Sequence, residues 1–166
     1  MSDRLLIAVL GNRNSGKSRT WYKLFGRRVS TGKCERPLHL NANQTVNVFL
    51  INGSPQERKV DVIDILPKPL PKIVLCSIQY REEAKKDFDY FIQEGYEIFV
   101  HWLNPGHGDN GQYDDNLALK EYLLEKGATV EIRDGTTDPA QRTDEIRQLI
   151  LEWATNRNLI SRNNKN

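Results

Sequence analysis

Leu5-Leu6-Ile7-Ala8-Val9-Leu10-Gly11-Asn12-Arg13-Asn14-Ser15-Gly16-Lys17-Ser18 is the stretch that decides the fold. Its apolar run from Leu5 to Leu10 has the length of one strand. Apolarity without alternation marks a strand covered on both faces, as in a parallel sheet. Gly11 ends the run and opens the pattern G-x-x-x-x-G-K-S, which closes at Ser18. Two glycines let the main chain curl so that successive N–H groups face a common point. A helix is expected from Gly16 to Phe25, closed by Gly26, with Trp21, Leu24 and Phe25 as its apolar face.

Outward from this core the chain alternates strand and helix. The basic segment from Arg27 to Asn43 carries a short strand near Pro37 to Leu40, and a turn at Asn41 to Gln44 makes it one arm of a hairpin. Thr45 to Ile51, rich in β-branched residues, is the other arm and stops at the turn cluster Asn52-Gly53-Ser54-Pro55. Pro55 to Leu66 reads as a helix, and the proline-rich stretch Pro67 to Pro71 as an extended connector. Strands follow at Ile73 to Ile78, Tyr96 to Leu103 and Ala128 to Arg133, with helices at Arg81 to Gln93, Asp114 to Lys126 and Asp138 to Asn158. Asn104 to Tyr113 is a long polar loop, and Ser161 to Asn166 a polar, frayed tail. Such alternation implies a mainly parallel sheet with helices on both sides. The division is a single domain over residues 1–160 and a tail over 161–166.

Composition excludes several classes. A chain of 166 residues with 38% hydrophobic and 28% charged residues builds one core without staples. Cys34 and Cys76 lack the C-x-x-C spacing of a zinc or redox site. No apolar stretch reaches the roughly 20 residues of a membrane span, and Met1-Ser2-Asp3-Arg4 has no leader pattern, so a cytoplasmic location is expected and membrane partners are not. A net charge of +2 is too small for a dedicated polyanion binder. Arg27, Arg28, Lys33 and Arg36 leave a nucleic-acid or protein contact open, although a solvated, mobile loop is the better account of them.

The loop after Leu10 carries the chemistry. A strand, a G-x-x-x-x-G-K-S turn and a helix N-terminus together form an anion cradle, because main-chain amides and the helix dipole converge on it. Gly11, Asn14, Ser15, Gly16, Lys17, Ser18 and Arg19 are the expected phosphate contacts. Lys17 would reach the terminal phosphates, and Ser18 would offer its hydroxyl to the Mg²⁺ that bridges them. This segment resembles the P-loop NTPase superfamily. The resemblance implies an α/β, three-layer P-loop NTPase fold, Mg²⁺ as cofactor and ATP or GTP as ligand.

The order of elements also resembles Ras-type small GTPases. There the strand after the hairpin ends in D-x-x-G followed by Gln, of which the Asp holds a metal-bound water and the Gln orients attacking water. Asn52-Gly53-Ser54-Pro55-Gln56 stands at that place here. The resemblance assigns Asn52 with Ser18 to the metal, and Gln56 with Lys17 to catalysis. Asn52 brings no charge to the metal, and Pro55 has no N–H for the γ-phosphate. Base reading by N-K-x-D corresponds to Asn104-Pro105-Gly106-His107, where Asn104 alone matches, and a second base contact falls at Asp134 to Thr137. The expected activity is a slow NTPase or nucleotide-dependent switch acting with a protein partner or as a homodimer. Two alternatives stand beside it. One is a P-loop nucleotide or small-molecule kinase, with Arg27, Arg28 and Arg36 clamping an acceptor; the other is a degenerate binding module.

Several residues carry blander readings. His101 and His107 with Asp109 lack a third ligand for a metal and read as packed or solvent-facing side chains. Ser30 or Thr31 could add a hydroxyl to the metal, and Arg13 could face bound phosphate or water. Glu57, Asp61 and Asp64 could supply the acid that Asn52 lacks, but carboxylates along a helix read as its solvated face and stay outside the expected site. Trp21, Trp102 and Trp153 read as packing anchors.

Overall fold

β1 (Arg4–Gly11) runs through the middle of the sheet in a computed structural model that describes residues 2–162. The elements in chain order are β1, α1 (Lys17–Phe25), β2 (Arg36–His39), β3 (Gln44–Ile51), α2 (Pro55–Arg58), α3 (Val62–Ile65), β4 (Ile73–Gln79), α4 (Ala84–Gln93), β5 (Tyr96–Leu103), α5 (Leu119–Glu125), β6 (Thr129–Arg133), α6 (Ala140–Thr155) and β7 (Ser161–Arg162). Across the sheet the order is β2-β3-β4-β1-β5-β6, with β7 paired to β3. β3, β4, β1, β5 and β6 are parallel, and β2 and β7 lie antiparallel to β3. The protein is thus α/β, with a mostly parallel mixed sheet flanked by helices, compatible with a three-layer α/β fold.

Side chains of β1 alternate between the two faces, as the pleat requires. Leu5, Ile7 and Val9 pack with Trp21 and Leu24 of α1 and Ile146, Ile150 and Trp153 of α6. Leu6, Ala8 and Leu10 pack with Val62 of α3, Phe88 and Phe91 of α4, and Leu119 and Leu123 of α5. Both faces are covered, which is why β1 shows no polar alternation. Trp21 also donates its Nε1–H to Ser77 Oγ at 2.8 Å, tying α1 to β4, and the three tryptophans are packed as expected.

From β1 the chain leaves toward β3 and later returns to β5 on the other side, so the strand order reverses at β1. Crevices at the carboxyl ends of the strands beside such a switch point are where open α/β sheets bind ligands. Gly11, where β1 ends, is at that edge.

Three elements depart from the sequence expectation. The helix expected over Pro55 to Leu66 is two short turns, because Lys59 adopts a left-handed φ of 55° and Asp61 is extended. The helix expected from Asp114 begins at Leu119, where Asp115 accepts the Leu119 and Lys120 amides at 2.9 Å each. Ser161 and Arg162 are not frayed but pair with Thr45 and Gln44 of β3; the rest of the expected tail, 163–166, lies outside the described residues. No helix among the described residues is long and apolar enough to cross a membrane.

Candidate functional site: a polar cavity over the first turn of α1

Between β1 and α1 the main chain turns through two left-handed residues, Asn14 at φ 62° and Gly16 at φ 103°. The Ser15 carbonyl accepts His107 N–H at 2.9 Å, and the Asn14 carbonyl accepts Gly108 N–H at 3.2 Å. In a trans peptide the N–H points opposite to the C=O, so the amides of Ser15 and Gly16 are turned away from the 104–113 loop. Among the described residues no side chain caps α1. The amides of its first turn, which an α-helix leaves without internal acceptors, are therefore open at the cavity that Gly16, Lys17, Ser18 and Arg19 line.

That cavity is about 430 Å³ and is lined by Arg13 to Arg19, Asn52, Glu57 and His107. Lys17 is 6% exposed. Its Nζ donates to the Asn12 carbonyl at 2.8 Å and the Gly11 carbonyl at 3.2 Å, and it lies 3.7 Å from Glu57 Oε1. Burial lowers the Lys17 pKa, and the Glu57 carboxylate works against that shift. Ser18 Oγ donates to Asn52 Oδ1 at 3.0 Å, so the two residues expected at a metal do meet. Asn52 is held from behind: its Nδ2 donates to the Val29 carbonyl at 2.7 Å and its main-chain N–H to Thr31 Oγ1 at 2.9 Å.

The hydroxyl of Thr31 thus buttresses Asn52, whereas Ser30 supplies its carbonyl to Arg36 Nη2 at 2.8 Å. Among the described residues no group of three His, Cys, Asp or Glu side chains is placed to hold a metal ion. Mg²⁺ on a phosphate chain needs only one or two protein oxygens, the rest being phosphate and water. Ser18, Asn52 and the half-exposed Glu57 carboxylate on the same cavity fit that demand.

Gln56 sits elsewhere. Its Oε1 accepts Gln79 N–H at 3.1 Å and its Nε2 donates to Asp87 Oδ2, so both ends of the amide are engaged on β4 and α4. The cause is the turn geometry of α2. Ser54 caps it by accepting Glu57 N–H at 3.2 Å, and neighbouring residues on a helix project about 100° apart. Gln56 therefore points to the sheet while Glu57 points to the cavity. Burial raises the pKa of Asp87 to about 6, and the Gln56 hydrogen bond pulls it back.

The other base-side residues are also engaged. Asn104 is 4% exposed; its Nδ2 donates to the Tyr113 carbonyl and its Oδ1 accepts Tyr113 N–H, each at 2.9 Å. Arg28 lies over the Tyr22 ring and Arg36 over the Phe25 ring, away from the cavity lining.

Three residues at the site escape motif reading. Glu57 is signalled by its place three residues after the Ser54 cap, the S-x-x-E pattern of a helix start. His107 reaches the cavity through the 104–113 loop, and its Nδ1 lies 2.7 Å from Arg19 Nη1. Arg142 of α6 comes from a remote segment. Its Nε donates to Thr20 Oγ1 at 3.0 Å, and Thr20 Oγ1 in turn donates to the Gly16 carbonyl at 3.0 Å. No protein-family model matches the chain and no curated protein matches it in sequence.

Proposed function

We propose that the chain binds a Mg²⁺-nucleoside triphosphate, ATP or GTP, in this cavity and hydrolyses it slowly, as an NTPase or nucleotide-dependent switch. The observation that carries the reading is the buried Lys17 ammonium beside the uncapped first turn of α1. Both features favour anionic oxygens at one place, and hydrogen bonds to ionised groups are the strong ones.

In this reading the amides of Gly16 to Arg19 hold the phosphate chain, and Lys17 turns its donors from the Asn12 and Gly11 carbonyls to phosphate oxygens. Ser18, Asn52 and Glu57 would hold the metal. Bound there, Mg²⁺ would neutralise phosphate charge and fix the chain's oxygens. Turnover is slow because Asn52 is neutral and the Gln56 amide is occupied by Asp87 and Gln79. Titration of the chain with Mg²⁺-ATP and Mg²⁺-GTP, paired with a phosphate-release assay on wild type and Lys17→Ala, tests it. No affinity for either nucleotide removes the proposal.

The occupied Gln56 amide favours a second reading, a binding module that holds nucleotide without turning it over. Retained affinity with phosphate release at the buffer rate selects that reading.

A further inference from the structure

We infer that the site recognises the triphosphate chain and does not distinguish the base attached to it. This rests on the triphosphate-binding reading above and specifies the class of ligand: any Mg²⁺-nucleoside triphosphate, and inorganic tripolyphosphate as well.

The cavity wall is the first observation. Arg13, Lys17 and Arg19 bring three cations against the single carboxylate of Glu57, and the remaining lining is polar or glycine. Pockets that select a flat organic ring are built mainly from apolar and aromatic side chains with a few polar groups aimed at its edge. Here the one ring in the lining is His107, and its Nδ1 is engaged by Arg19. A base resting on the His107 or Arg19 plane gains stacking, which every base offers alike.

The flank beyond β5 and β6 is the second. Gly135 N–H donates to the Pro105 carbonyl at 2.7 Å, joining the loop after β6 to the loop after β5. A Cβ on Gly135 would lie 2.6 Å from the Ser15 carbonyl oxygen and 3.0 Å from Gly106 Cα. A Cβ on Gly106 would lie 2.6 Å from Ser15 Cβ. These three segments are already in main-chain contact. A ring inserted between two walls needs contact distances of about 3.5 Å on each side, hence roughly a 7 Å gap. The side-chain amide of Asn104 on that flank has both ends committed to the Tyr113 main chain.

Discrimination between bases comes from polar groups that the wrong base leaves unpaired. With both ends of the Asn104 amide satisfied from within and the loops closed on each other, changing the base leaves neither end of that amide unpaired. Affinity then follows the phosphates.

Isothermal titration of the full chain with Mg²⁺-ATP, Mg²⁺-GTP, Mg²⁺-CTP, Mg²⁺-UTP and Mg²⁺-tripolyphosphate tests this. The expected result is that the four nucleotides bind within about threefold of one another and tripolyphosphate within about tenfold of them. A preference of tenfold or more for one base overturns the inference and leaves the triphosphate-binding reading standing, as does binding of nucleotides without binding of tripolyphosphate. If none of the five binds, the triphosphate-binding reading itself falls, and this inference with it. His107→Ala provides a second check. It should weaken all four nucleotides by a common factor, and a changed rank among the bases would overturn the inference.

Discussion

The Lys17 ammonium lies 3.7 Å from the Glu57 carboxylate at the edge of the cavity, 7% and 39% exposed respectively by side chain. An anion entering this space meets attraction from one partner and repulsion from the other. Glu57→Gln should therefore act in opposite directions with and without metal. In EDTA the variant should bind ATP several-fold more tightly than wild type, because a like charge is gone. With Mg²⁺ present it should lose part of the metal-dependent gain in affinity. Titrations in both buffers read this directly, and an unchanged metal dependence would place Glu57 outside the metal's surroundings.

Lys17→Ala removes a buried cation that makes charge-assisted hydrogen bonds, each worth about 1.5–3 kcal/mol. Affinity for Mg²⁺-ATP should fall roughly 10- to 100-fold. Stability should hold or rise, since Lys17 carries a desolvation cost that the folded chain no longer bears. Loss of binding with a preserved thermal midpoint is the expected pair of readings.

Gln56→Ala separates structure from turnover. The side chain bridges Gln79 N–H and the buried Asp87, 4% exposed, so its removal strands two polar groups at a cost of about 1–3 kcal/mol. The urea midpoint should fall accordingly. Phosphate release per folded molecule should stay within about twofold of wild type, and a tenfold loss would return Gln56 to the reacting water.

How much of this was legible in the residues follows from the range over which each signal acts. The strand Leu5 to Leu10, the turn to Lys17 and the start of α1 are set by neighbours within a few positions, and the structure has each close to where the sequence puts it. Ser18 and Asn52, 34 positions apart, were paired only through a family pattern, yet the hydroxyl does reach the amide. Gln56 shows where position in a pattern fails to give direction. One residue along a helical turn decides whether a side chain meets the sheet or the cavity, and the Ser54 cap fixes that phase. The closed flank was illegible because the contacts among Ser15, Gly106 and Gly135 are set by how two distant loops pack.

Arg142 holds the 11–18 loop from below through Thr20 and the Gly16 carbonyl, and its buried Nη2 has no hydrogen-bond partner among the described residues. Arg142→Met keeps much of the side-chain volume while deleting those donors. The variant should weaken Mg²⁺-ATP binding several-fold without touching the cavity wall, because Thr20 Oγ1, which donates to the Gly16 carbonyl, loses the Arg142 donor that orients it. Arg142→Lys should not restore it, since an ammonium cannot reproduce the planar fork that also meets the Asp134 and Thr137 carbonyls. Rescue by lysine would show that charge alone is needed.

Two buried groups set opposite pH slopes in stability. His101 in β5 is fully buried with no hydrogen-bond partner on either nitrogen among the described residues, and faces Glu145, Arg133 and Arg142. Burial and then Arg133 lower its pKa to about 4, so the folded chain holds it neutral. Its contribution is complete above about 6.5 and is lost as pH falls toward 4. Asp87 faces Gln56, Asp61, Lys86 and the Val62 amide, and its pKa is raised from 3.8 to about 6. The folded chain holds its proton more tightly than the unfolded one, so its contribution is present below 3.8 and is lost as pH rises through 6. Each shift spans about two units, and one unit corresponds to about 1.4 kcal/mol, so the opposing slopes are comparable between pH 4 and 6. Asp87→Asn should expose the His101 slope: relative to wild type, the urea midpoint rises at pH 7 and the gain shrinks toward pH 4.5. His101→Gln should do the reverse, losing less stability on acidification than wild type. Parallel midpoint profiles for all three proteins over this range would mean that neither group titrates with folding.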